Sequence, residues 1–94
     1  MPPLEEEKAD ELLKQIPSWT LKDLHLYKKF KFKDFIEARK FVNSVADIVE
    51  QEGHHPDICI HYSRVEIEIW THAINGLSEN DFILAVKIDE IKIK

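Results

Sequence analysis

The sequence predicts an α+β domain in which one antiparallel sheet carries its helices on one face. Two observations predict it: segments with helical apolar spacing stand near the start, middle and end of the chain, and two pairs of short alternating segments lie between them. Length adds a bound. At 94 residues the chain makes a single domain, residues 1–94, because a second core would have too little surface to bury.

The first helix follows Pro2 and Pro3, residues that suit a first helical turn. Leu4, Leu12, Leu13 and Ile16 recur at roughly helical spacing, Glu5, Glu6 and Glu7 place negative charge at the positive end of the helix dipole, and Pro17 ends the segment. Two strand-like stretches follow, Ser18 to Leu21 and His25 to Phe32. In the second, Leu26, Lys28, Phe30 and Phe32 share one face and Tyr27, Lys29 and Lys31 the other, which predicts a hairpin turning at Lys22 and Asp23.

Asp34 and Glu37 have the three-residue spacing of a capping box, and they open the longest apolar stripe of the chain, Phe35, Ala38, Phe41, Val42, Val45, Ile48 and Val49. Gly53 can take the left-handed conformation that closes a helix and Pro56 opposes its continuation, so His54 and His55 fall at the helix end. A second hairpin comes next. Ile58, Ile60 and Tyr62 alternate with Cys59 and His61; after a turn near Ser63 and Arg64, Val65, Ile67 and Ile69 alternate with Glu66, Glu68 and Trp70. Asn75 and Gly76 form a turn pair, and Ser78 with Asp81 offers a second capping box before Phe82, Ala85, Val86 and Ile88. The terminal stretch VKIDEIKIK fits either a helix or a strand by periodicity.

Composition narrows the function classes. Hydrophobic residues make up 44% and charged residues 33% of the chain, enough for a core within a charged surface. A net charge of -5 argues against a nucleic-acid binder working through a basic face. No stretch approaches the roughly 20 apolar residues of a membrane span, and the acidic start MPPLEEEKADE is unlike a secretory signal. Cys59 stands alone, which excludes an internal disulfide and suits a reducing, cytoplasmic setting.

Three of the five histidines flank the second hairpin: His54 and His55 precede it and His72 follows it. Glu50 lies one helical turn before His54, and Asp81 opens the last helix. Imidazoles titrate near neutrality, so such a group suits acid/base work. Each residue also has a plainer reading. His54 and His55 can simply close a helix, Asp81 can be a cap whose second oxygen points outward, Glu50 can be a solvated helix residue, and Trp19 and Trp70 can be packing groups. His25 and His61 lie in strands and read as structural or exposed. Adjacent helical side chains diverge by about 100°, so His54 and His55 make a poor metal pair, and no metal is expected.

As one pattern, Glu50, three residues, His54-His55-Pro56, five residues, Tyr62, nine residues, His72, eight residues and Asp81 resembles the signature of the pterin-4a-carbinolamine dehydratases. The resemblance extends from the Trp19 hairpin through FKDFIEARKFVNSVADIVEQEGHHPD to THAINGLSENDFILAVKID. Family members often carry Trp and Asn in the strand after His-His-Pro, where this chain has Ile58 and Ile60.

The resemblance implies a four-stranded antiparallel sheet with helices on one face. It also implies a hydro-lyase that converts a 4a-hydroxytetrahydropterin to the quinonoid dihydropterin and water, without a cofactor and in the service of an aromatic amino acid hydroxylase. In that family's terms His54 and His72 stand nearest the proton transfers, His55 holds the pterin, Asp81 orients a histidine, and Glu50 and Trp19 sit at the pocket edge. Mammalian relatives also act as dimerisation cofactors of a homeodomain transcription factor, so an interaction module on the same fold is the alternative. The apolar last helix suggests a homodimer or homotetramer.

Overall fold

The computed structural model describes residues 3–92. Its elements are α1 (Glu6–Leu13), β1 (Thr20–Lys22), β2 (His25–Lys31), α2 (Phe35–Glu52), β3 (Asp57–His61), β4 (Arg64–Ile69), a 3-10 turn (His72–Ile74) and α3 (Glu79–Asp89). All neighbours in the four-stranded sheet are antiparallel, in the order β1-β2-β4-β3. The two expected hairpins are therefore joined through β2 and β4. Leu26 faces Ile69 and Phe30 faces Val65 across that junction.

Alternation decides which face carries the helices. Val65, Ile67 and Ile69 of β4 are fully buried, with Leu26 of β2 beside them, and Phe41, Val45 and Val49 of α2 and Leu84, Ala85 and Ile88 of α3 complete the core. Each of these large apolar side chains is worth about 1.5–3 kcal/mol when fully buried. The residues between them, His25, Tyr27 and Lys29 on β2 and Arg64, Glu66 and Glu68 on β4, point to the opposite, polar face. There Tyr27 donates a hydrogen bond to Glu66, His25 Nδ1 lies 2.6 Å from Glu68 Oε2, and His61 Nε2 lies 2.9 Å from Glu66 Oε2.

The capping box expected at α2 forms in half: Asp34 Oδ1 accepts the Glu37 N–H at 2.9 Å, but the Glu37 carboxylate accepts from the N–H of Lys33, one residue before the cap, and not from that of Asp34. At the other end Gly53 adopts φ 66° and its N–H reaches the Val49 carbonyl, which also accepts from His54 N.

The structure corrects several boundaries. The first helix is shorter than its apolar spacing suggests: Pro3 and Leu4 lie ahead of it outside any helix, with Leu4 N–H bonded to the Leu77 carbonyl at 2.8 Å. Pro2 lies outside the described residues. Both hairpin turns sit one residue from the expected place, at Asp23-Leu24 and Tyr62-Ser63, because Lys22 pairs with His25 and His61 with Arg64. Asp23 and Leu24 both take positive φ, 52° and 65°, as a tight two-residue hairpin requires. The ambiguous terminus is helical to Asp89, with Ile88 anchored in the core; Ile93 and Lys94 lie outside the described residues.

Candidate active site

The end of α2, the connection after β4 and the start of α3 converge on one cavity of about 200 Å³. Glu52, Gly53 and His54 line it from the first, Thr71 and Ser78 from the connection, and Asn80, Ile83 and Leu84 from α3. The left-handed Gly53 turns the chain out of α2 so that His54 faces α3. Thr71 continues the parity of Ile67 and Ile69 and so points to the helix side of the sheet.

Asp81 is the centre of the arrangement and the one fully buried charged residue described, at 0% exposure. Burial of a carboxylate is tolerated only with donors around it. Here Ser78 N–H reaches Oδ2 at 2.8 Å, the Thr71 hydroxyl lies 3.0 Å from Oδ2 and 3.2 Å from Oδ1, and His54 Nε2 donates to Oδ1. The Ser78 hydroxyl lies 2.9 Å from that of Thr71. Thr71 has one hydroxyl proton, which goes to the acceptor-only carboxylate, so Ser78 donates to Thr71. The capping carboxylate thus does present its second oxygen outward, to His54. Because a carboxylate accepts, Nε2 of His54 carries the proton and Nδ1 is left as the second ring nitrogen.

None of the other expected site residues, His55, Glu50, His72 and Trp19, lines this cavity. His55 points elsewhere, with Nε2 2.8 Å from Glu50 Oε1, both side chains exposed; Glu50 therefore partners His55 and not His54. His72 is exposed in the 3-10 turn directly after Thr71, and its ring stacks on Trp70. Trp19 takes a core position rather than the pocket edge expected of it: it is 2% exposed, its Nε1–H donates to Asp89 Oδ2 at 3.0 Å at the far end of α3, and its ring meets Phe30 edge-on. Among the described residues no group of three or more His, Cys, Asp or Glu has the geometry to hold a metal. Sequence reasoning passed over Thr71 and the pairing of Trp70 with His72. Strand parity carried the signal for both, since Thr71 follows the buried residues of β4 and Trp70 the solvent-facing ones.

On the polar face the Tyr27 hydrogen bond to Glu66 raises the tyrosine pKa above its ordinary value and lowers that of the carboxyl.

The family profile described as pterin 4 alpha carbinolamine dehydratase matches residues 2–91. A Rickettsia canadensis relative is 52% identical over 91 residues, covering 95% of this chain and 84% of its own. One from Rubrobacter xylanophilus is 45% identical over 92 residues, covering 97% and 86%. Both carry the provisional name pterin-4-alpha-carbinolamine dehydratase. Among solved structures, a transcriptional coactivator/pterin dehydratase from Brucella melitensis superposes with a TM-score of 0.88 at 34% identity, covering 93% of this chain and 95% of that one. A pterin dehydratase-like protein described as a RuBisCO assembly factor of the alpha-carboxysome superposes with a TM-score of 0.63 at 25% identity, over 76% and 82%. A profile match across nearly the whole chain, relatives at half identity and a shared fold agree with the His54, His72 and Asp81 pattern: the chain belongs to the pterin 4 alpha carbinolamine dehydratase family.

Proposed function

We propose that this protein dehydrates a 4a-hydroxytetrahydropterin to the quinonoid dihydropterin. The C4a–O and N5–H bonds break, the N5–H electron pair becomes the second bond of C4a=N5, and the departing hydroxide takes up a proton to leave as water. No electron acceptor enters the balance. What the reaction asks of a protein is one group that accepts the N5 proton and one that protonates the leaving oxygen.

The observation that carries this reading is the His54–Asp81 pair at the wall of the cavity. With Nε2–H committed to Asp81, Nδ1 of His54 is the nitrogen that takes the N5 proton, and Asp81 stabilises the imidazolium that results. His72 serves the leaving oxygen. His55, held by Glu50, contacts the pterin ring. Membership of a family that includes a coactivator/pterin dehydratase and an assembly factor leaves a second reading, an interaction module on the same fold. In either reading we propose a cytoplasmic homodimer or homotetramer. Ile83 and Val86, 49% and 43% exposed on α3, supply apolar surface for it, and a monomeric mass by light scattering at micromolar concentration counts against it.

The test is the decay of chemically generated 4a-hydroxytetrahydropterin with wild type, His54→Ala and His72→Ala. Wild type accelerates the decay over buffer, and each variant loses about 10²–10⁴-fold in kcat. A wild type no faster than buffer leaves the interaction module as the function. Activity lost to a chelator and restored by zinc overturns the metal-free scheme.

A further inference from the structure

The three histidines of the proposed site are held by different devices. Carboxylates anchor two of them, Asp81 for His54 and Glu50 for His55. The third, His72, is exposed in a 3-10 turn, and no described side chain hydrogen-bonds its ring. What it has is Trp70, stacked at a centroid distance of 4.2 Å and an interplanar angle of 29°.

Trp70 has a second ring against it. His25 lies 4.0 Å away at 8°, nearly parallel. The register explains the meeting: Leu26 pairs with Ile69 at the end of the ladder, and His25 and Trp70 are the residues next to that pair, with the parity of the polar face. Two imidazoles at these distances cannot share one indole face without overlapping, so Trp70 stands between them. His25 is in turn fixed by its 2.6 Å contact with Glu68, the residue two before Trp70 on the same face. Glu68, His25, Trp70 and His72 form a continuous chain of contacts, and Trp70 also packs in part against the hydrophobic core.

We propose that Trp70 is a positioning residue for His72, and that His25, clamped by Glu68, holds the indole upright. This rests on the reading of His72 as a proton-transfer residue. A free exposed imidazole samples several rotamers, whereas one stacked on a fixed indole stays within reach of the same substrate atom. The stack selects for a ring at position 70, not for a hydrogen-bonding group.

The experiment combines two readouts on wild type, Trp70→Leu, Trp70→Phe and Glu68→Gln. The first is the NMR shift of the His72 ring protons, which a stacked indole moves upfield by its ring current. The second is kcat and KM in the 4a-hydroxytetrahydropterin assay. Trp70→Leu returns the His72 protons to ordinary imidazole positions and lowers kcat about tenfold with KM changed less than about threefold. Trp70→Phe restores most of kcat, and Glu68→Gln gives an intermediate loss while keeping Trp70. An unchanged His72 resonance in Trp70→Leu, or unchanged kcat once the resonance has moved, overturns the positioning role. An inactive wild type whose His72 resonance nonetheless responds to Trp70→Leu sinks the dehydratase reading and upholds the anchoring of His72.

Discussion

Asp81 Oδ1 accepts the imidazole N–H of His54, 27 positions away in the chain, while Oδ2 of the same carboxylate accepts the Ser78 amide N–H at 2.8 Å. One buried group therefore closes the first turn of α3 and sets the tautomer of a histidine just beyond the end of α2. Asp81→Asn separates the two roles. The amide oxygen can still accept from Ser78, but the NH₂ then meets the His54 Nε2–H donor to donor, forcing the ring to its other tautomer. The expected loss is about 10²–10⁴-fold in kcat with the helix retained; near-normal kcat together with an unaltered circular dichroism spectrum counts against the tautomer argument.

Thr71→Val removes a donor to Asp81 and the acceptor of the Ser78 hydroxyl while keeping the side-chain shape. Asp81 keeps the Ser78 N–H and His54 but loses one hydrogen bond to a charged group, worth about 1.5–3 kcal/mol, which lowers Tm by about 4–8 °C per kcal/mol in a domain of this size. Thr71→Ser regains most of it. Thermal melts decide the matter, and a Thr71→Val protein melting with wild type would show that the hydroxyl is dispensable.

Leu24 holds φ at 65° with its side chain 66% exposed, so its Cβ strains the hairpin and little burial compensates. Leu24→Gly is expected to stabilise the protein by about 1 kcal/mol. Urea unfolding with an unchanged m-value measures it, and a lower midpoint contradicts the assignment of strain to this turn.

The Tyr27–Glu66 hydrogen bond gives stability a pH dependence at both ends. The Glu66 pKa is lowered on folding, so its contribution is present above the unfolded carboxyl pKa and is lost as pH falls through the lowered one. The Tyr27 pKa is raised, so its contribution is present below the unfolded phenol pKa and is lost as pH rises through the raised one. Tyr27→Phe is therefore expected to destabilise most near neutral pH, with the gap to wild type closing in acid as Glu66 takes a proton. A gap that stays constant from neutral pH down to acid assigns the loss to packing instead.

Much of this fold was legible because local chemistry and global packing agree. Asp34, Gly53 and Ser78 mark helix ends that form where their residue types require, and the alternation of Val65, Ile67 and Ile69 specifies the buried face of β4. What was illegible depends on meetings between distant segments. The pairing of β2 with β4 leaves no local trace, and neither does the approach of Pro3 to Gly76, where an added Cβ would come within 2.7 Å of the proline ring. The site shows the same division. His54 and Asp81 were visible as types at the right spacing, whereas Trp19 has the same amphipathic ring whether it edges a pocket or, as here, donates to Asp89 from inside the core.

The double duty of Asp81 also bears on how family members are sorted. A descendant that abandoned catalysis for another role could lose His54 and still keep Ser78 and Thr71 as donors to the carboxylate, yet shedding the carboxylate would unfasten the start of α3 as well. Retention of an aspartate there is weak testimony to activity, because architecture alone preserves it. The imidazole opposite is the better witness.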